Sequence, residues 1–270
     1  VRFQVLASGS AGNAILVRAG EITLLVDAGL PLDELERRLE SARVAPHTLD
    51  AIALTHGHLD HARSAGRLSR KTGACVLAVN GLLSNASLRG ARQTRAISPG
   101  RPIEVLARRG RDVLHLTGVP LPHDADPTLA FRLEHEGRVA VVCTDLGTPQ
   151  RDLAGPLGEA DLLYLEFNHD ERLLAQGPYT PALKRRVAGP RGHLSNEQAA
   201  TLLEALAGTR LRTLVLAHLS ATNNTPELAL QAARAALARC GRTDVELFVA
   251  AQDHVGPALA VGRHRTPGFP

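Results

Sequence analysis

The chain has 270 residues, 44% of them hydrophobic, and no Ser/Gly linker, repeat or low-complexity tract divides it, so one domain with a full core over residues 1–270 is expected. No apolar stretch reaches the roughly 18 residues of a membrane helix, VRFQVLASGS lacks the regions of a secretory leader, and three dispersed cysteines (Cys75, Cys143, Cys240) without a CxxC pair exclude a disulfide framework, so a cytoplasmic protein with buried free thiols and no membrane partner is expected. The formal net charge is +4, carried almost wholly by arginine, with Lys71 and Lys184 the only lysines; this suits an anionic partner without proving one.

The first elements are strand-like runs at 2–7, 14–19 and 22–27, separated by turn residues as in a meander. LDELERRLESA (32–42) has helical leucine spacing, AIALT (51–55) is a buried strand, and LDHARSAGRLSRKTG (59–73) predicts one helix closed by Gly73 before the strand 75–79. Further strands are expected at 111–117, 128–135 and 138–144, the last two joined by a hairpin at EHEG, then at 161–167, 211–219 and 245–250. Helices are expected at 195–208, with Ser195 as N-cap and a terminal glycine, and at 225–241, with Thr225 as cap and Pro226 in first position. Strand-rich blocks interleaved with helices predict an α/β fold of two sheets packed face to face with helices outside.

HGHLDH (56–61) places three histidines and an aspartate in six positions after an apolar run. In extended chain, residues two apart point the same way, so His56 and His58 can aim at one point. Asp60 and His61 open the next helix and can aim at a second point nearby. Imidazole and carboxylate are ligands that zinc, manganese and iron accept. The alternative is a polar helix cap with incidental histidines; the density of the cluster favours metal. His123, Asp145 and His218 each terminate an apolar run. Singly each is as readily a turn residue as a ligand, but together they supply the ligands that a pair of cations still needs.

The HxHxDH form, followed by His, Asp and His in that order, resembles the metallo-β-lactamase fold superfamily over nearly the whole chain. SGSAGN (8–13), TDLG (144–147), FNHD (167–170), GHLSN (192–196) and AHLSATNNTPE (217–227) resemble more narrowly the YycJ/WalJ branch, whose members are regarded as metal-dependent DNA exonucleases. The resemblance implies an αββα sandwich of two mixed sheets with two divalent cations where strands end. Zinc or manganese is favoured over iron. Residue by residue it implies His56, His58 and His123 at one site, Asp60, His61 and His218 at the other, and Asp145 bridging. It also implies DNA as substrate and 5′-to-3′ polarity. Two cations roughly 3.5–4 Å apart share a hydroxide and lower its pKa. That machinery hydrolyses phosphodiesters, lactones and thioesters alike, so the ligand set defines hydrolysis and not the substrate.

Asp60, His193 and Glu166 are the candidate catalytic residues. Related tRNA 3′-processing nucleases place a Glu–His pair at similar points in chain order, and by that analogy Glu166 orients His193 as electrophile or general acid. The alternative keeps His193 as a neighbour of the helix that Ser195 caps. His169, with Asp170, is a candidate for a further ion, for support of the ligands, or for a plain loop. Ser10 and Asn13, in SGSAGN, are candidates for a phosphate cradle or merely a tight turn. Asn223 and Asn224 are candidates for phosphate or sugar contact, with helix capping the plainer role. Arg185 and Arg186, beside Lys184 and Arg191, can follow a phosphate backbone or form a solvated helix face. With two tyrosines, five phenylalanines and no tryptophan, stacking on single strands is poorly supplied, and duplex ends held by backbone contacts fit better. The competing functions are hydrolysis of a small thioester, lactone or other ester, and metal-stabilised nucleic-acid binding without catalysis. No feature calls for an obligate protein partner.

Overall fold

In the computed structural model, which describes residues 1–262, the early apolar runs form a meander of β1 (Arg2–Ala7), β2 (Ala14–Ala19) and β3 (Ile22–Val26). Parallel strands then extend it: β4 (Ala51–Ala53), β5 (Cys75–Val79) and β6 (Gln93–Ile97). The second sheet opens with antiparallel β7 (Pro102–Leu106), β8 (Val113–Leu121), β9 (Thr128–His135) and β10 (Arg138–Cys143), and continues with parallel β11 (Leu162–Glu166), β12 (Thr213–Ala217) and β13 (Glu246–Val249). A last short strand, β14 (Leu259–Ala260), returns to the first sheet beside β1. The sheet orders are β14-β1-β2-β3-β4-β5-β6 and β13-β12-β11-β10-β9-β8-β7.

Among the described residues eight α-helices fill the connections: α1 (Leu32–Ser41), α2 (Leu59–Ala62), α3 (Ala65–Thr72), α4 (Ala154–Leu157), α5 (Glu171–Gln176), α6 (Pro181–Val187), α7 (Asn196–Leu206) and α8 (Pro226–Arg239). One apolar cluster joins Leu16, Leu24 and Ile52 of the first sheet to Phe131, Tyr164 and Val215 of the second. A second cluster packs Leu163, Leu165, Leu214 and Leu216 against Leu202, Leu203 and Leu237 of α7 and α8. Alternate residues of β11 therefore face the other sheet and the helices. This is why LLYLE is a continuous apolar run rather than an alternating one.

The expected meander, the hairpin and the helices at 32–42 and 225–241 are present within one to three residues. Glu136 and Gly137, both with positive φ (48° and 71°), make the turn between β9 and β10. The helix expected over 59–73 is instead two. Ser64 turns its amide to Ala28 O (2.9 Å) and its hydroxyl to Leu30 O (2.7 Å), which diverts the backbone between α2 and α3. Gly73 does close α3, with φ 81°. Ser195 and Gln198 form a capping box on α7, but that helix ends at Leu206 with Ala207 as its C-cap rather than on the expected glycine. The strand expected at 111–117 runs on to Leu121 through Gly118 and Pro120.

Strands β6 and β7 and helices α5 and α6 lie in stretches with no expected element. Residues 93–96 of β6 are all exposed at a sheet edge, and α6 buries no residue, so neither carries an apolar period. All three cysteines are free, and Cys143 is buried, but Cys75 and Cys240 are half-buried, because each lies at the end of an element rather than in the sheet interior. Among the described residues no helix is long and apolar enough to cross a membrane.

Candidate metal centre

The site forms beyond the C-terminal ends of β3, β4, β8, β10, β11 and β12. Just past three of these strands the backbone turns through left-handed residues that are not glycine: Asp27 (φ 62°), Asp145 (61°) and His218 (53°). Such conformations cost about 1–3 kcal/mol each and persist only where surrounding contacts enforce them. The 56–61 segment is clamped by two neighbouring loops. Asn13 N donates to Asp60 O (2.7 Å) and Ala28 N to His61 O (2.7 Å). Gly29 lies so close that a Cβ there would sit 1.6 Å from Asp60 O.

These constraints gather the expected donors. His56, His58 and His123 place a ring nitrogen each within 4.8 Å of one another, as do the donor atoms of Asp60, His61 and His218. Asp145 lies between the two sets: one oxygen is 3.3 Å from His61 Nε2, and the other is 3.8 Å from His123 Nε2 and 3.6 Å from His218 Nε2. A further overlapping group joins Asp145, Glu166, His193 and His218.

The fit to cations is testable on the histidines themselves. Nε2 of His56, His123 and His218 is buried without a hydrogen-bond partner, a state that costs free energy unless something else binds there. Their other nitrogens are occupied. Thr55 Oγ1 gives its hydrogen to Asp27 and accepts from His56 Nδ1 (3.0 Å). His61 Nδ1 donates to Asp27 Oδ2 (2.7 Å) and His123 Nδ1 to Gly192 O (3.0 Å), while His218 Nδ1 is 3.2 Å from the Asn168 amide. Donation from Nδ1 leaves the Nε2 lone pair of His56, His61 and His123 for a metal, the arrangement that metal-ligating histidines adopt, whereas at His218 the Asn168 amide presents a donor to Nδ1. The donor set fits divalent cations.

Electrostatics agree. Burial opposes charge on His61 and His218, yet Asp145 with Asp27 and Asp60 pushes His61 up to about 9, and Asp145 with Asp60 and Glu166 pushes His218 up to about 10. Burial keeps His56 well below its usual value. Against its own desolvation, Asp145 is held well below the carboxylate range by His218, His61 and His56. The pocket is thus built to hold positive charge.

The remaining expected residues divide. His193 Nδ1 donates to Glu166 Oε1 at 2.6 Å, and Glu166, fully buried, also accepts from Leu146 N (3.1 Å). His193, but not Glu166, borders a cavity of about 240 Å³ whose lining also includes Ser10, His58, Asp60, Asp145 and His218. Asn13 is tied inside its own turn, Oδ1 accepting from Gly9 N and Nδ2 donating to Gly9 O, and its amide is 2.9 Å from His61 Nε2. The turn also consumes Gly12 N on Gly9 O, while Ala11 N goes to the Gln252 side chain, so these amides, with that of Gly9, already have partners within the protein. Asn224 spends its side chain on Phe167 O, Asn196 and Thr225 N, and Asn223 is fully buried. Arg186 borders the cavity, whereas Arg185 and His169 line a separate hollow with Lys184.

Two groups escape a reading by motif. Asp27 braces both His61 and Thr55; its signal is an acid ending the run ITLLVD, as Asp145 ends VAVVCTD. Asp124 sits 3.4 Å from His58 Nε2 and 3.3 Å from His123 Nε2 and accepts from Arg186 Nε at 2.7 Å. Nothing in the sequence but its place beside His123 marks it.

A family model for the metallo-beta-lactamase superfamily matches residues 7–218, and the chain belongs to that superfamily. Within it the chain falls in the YycJ/WalJ branch. It is 32% identical over 231 residues to exodeoxyribonuclease WalJ of Streptococcus pneumoniae serotype 2 (strain D39 / NCTC 7466), which covers 84% of this chain and 85% of that protein. It is 31% identical over 236 residues to exodeoxyribonuclease YycJ of Bacillus anthracis, covering 85% and 86%. The metallo-beta-lactamase fold protein YhfI from Bacillus subtilis superposes with a TM-score of 0.70 at 18% identity, covering 95% of this chain and 99% of that one, a likeness of fold.

Proposed function

We propose that this chain, a metal-dependent hydrolase by family and donor set, is a two-metal exonuclease that cleaves phosphodiester bonds at DNA ends. His56, His58 and His123 would hold one cation, Asp60, His61 and His218 the other, and Asp145 both. The observation that carries the reading is the pair of donor sets with Asp145 between them, together with three buried Nε2 atoms that make no hydrogen bond. The choice of DNA is supported by the names of the two relatives, and the 5′-to-3′ direction by the branch resemblance. When bound, two such cations lower the pKa of a water and stabilise charge developing on a phosphoryl oxygen.

The protein's own part is to place and protonate. Glu166 fixes His193 through Nδ1, so Nε2 is left for the cavity. Burial resists charge on His193, but Glu166 and Asp145 outweigh it and raise its pKa, which keeps a proton ready for the leaving oxygen.

The test is a duplex labelled at either 5′ end or 3′ end, incubated with manganese or zinc. Stepwise release of nucleotides from the 5′ end supports the reading, and His193→Ala should lower kcat by about 10²-fold or more while metal content is retained. Hydrolysis of small thioesters or lactones with no cleavage of DNA in any metal would sink it.

A further inference from the structure

Helix α6 contributes nothing to the core. None of its residues is buried, and Leu183 and Val187 belong to neither apolar cluster. Tyr179, just before the N-cap Thr180, is likewise outside both clusters. Yet all three line the cavity of the metal centre, together with Arg186 from the same helix. Leu183 and Val187 are one turn apart, so they share a face. Phe3, Phe131, Tyr164 and Phe167 are fully buried, and Tyr179 is the aromatic side chain at this mouth among the described residues. An apolar, aromatic wall gives imidazoles and carboxylates nothing they need to hold cations. It matches instead a flat apolar group that arrives with the reacting bond.

We propose that Tyr179, flanked by Leu183 and Val187, is the stacking seat for a single nucleobase, that of the terminal nucleotide whose phosphodiester faces the metal ligands. The proposal rests on the phosphodiesterase reading and names what the same cavity recognises. Arg186 supplies the charge beside it. Asp124 holds its Nε at 2.7 Å, and Asp124 itself lies against His58 and His123, so the guanidinium is fixed near the first donor set with its other N–H groups available to a phosphate. One aromatic seat stacks any base, since every base has a π-face, so the seat selects for an end with a base on it and not for a sequence. It also reconciles an aromatic-poor chain with a nucleic-acid substrate: one ring at the reacting end suffices where none follows the strand.

The experiment is a two-by-two comparison of wild type and Tyr179→Ala on duplexes whose terminal nucleotide is either normal or abasic. Removing the base should cost the wild type about tenfold in kcat/KM. Tyr179→Ala should lose a similar factor on the normal end and nothing further on the abasic end, while Tyr179→Phe keeps the wild-type pattern. Equal losses on both ends, or none on either, overturn the seat. Its thermal unfolding should match the wild type, because Tyr179 is in neither core cluster. If wild type cleaves neither duplex in any metal, the phosphodiesterase reading fails and binding decides the seat. An oligonucleotide ending in 2-aminopurine, titrated in the presence of chelator, should be quenched by wild type and not by Tyr179→Ala; the same quenching by both overturns it.

Discussion

Asp27 does no ligating in the arrangement described above, yet it holds His61 Nδ1 at 2.7 Å and accepts from both the amide and the hydroxyl of Thr55. Its carboxylate therefore selects the tautomer of one histidine and, through Thr55, steadies another. Outer partners of this kind typically sustain 10- to 100-fold in metal affinity. Asp27→Asn should reduce zinc affinity by about that factor, read by competition with a chromophoric chelator, with the far-UV circular dichroism unchanged. Full affinity in the variant would leave the left-handed turn at Asp27 as its only purpose.

At the scale of elements, the packing of α2 against the loop after β3 decides whether the 56–61 segment is in place. A Cβ at Gly29 would fall on the backbone of Asp60, which has no side-chain rotamer with which to yield. Gly29→Ala should cost about 2 kcal/mol or more in denaturant unfolding, in line with overpacked sites, and weaken metal binding as well. Gly155, inside α4, offers a contrast: nothing lies within 4 Å of a Cβ there. Gly155→Ala should nonetheless be mildly destabilising in the same unfolding measurement, because Pro156 follows and its ring Cδ crowds the Cβ of a helical residue ahead of it. The same reasoning explains which elements were legible. α8 announces itself through Thr225, Pro226 and Glu227, all local signals. α6 carries the same Thr-Pro opening at Thr180 and Pro181 but buries no apolar stripe, and β6 lies exposed at a sheet edge, so neither shows an apolar period.

For the whole molecule, cations bound by loops from both sheets would couple the two halves of the sandwich. A ligand at a hundredfold excess over its Kd adds about 2.7 kcal/mol to stability, and each kcal/mol moves Tm by about 2–4 °C in a chain of this size. Chelator should therefore lower Tm by roughly 5–10 °C, reversibly on return of zinc or manganese, as followed by calorimetry; an unchanged Tm would argue against resident cations. The net charge of +4 bears on the partner instead. If Arg186 meets a phosphate, Arg186→Ala should weaken DNA binding and make the slope of log K against log salt shallower by about 0.9.

The amino-acid sequence by itself determined the donors, because histidine and aspartate at 56, 58, 60 and 61 are dense enough to be read without a fold, and it determined most strands and capped helices, because those depend on neighbours within a few residues. His123, Asp145, Glu166, His193 and His218 could be nominated as ends of apolar runs or by resemblance, but alone His123, Asp145 and His218 were as readily turn residues as ligands, and His193 a neighbour of a capped helix. Tertiary structure alone decided that they meet, which nitrogen of each histidine is left over, that Asn224 and the amides of the SGSAGN turn are spent internally, and that Asp27 and Asp124 belong to the site. The reason is physical: a hydrogen bond such as that from His123 to Gly192, or from His193 to Glu166, joins residues many positions apart, and no local period or motif encodes a distance that only packing of two sheets creates.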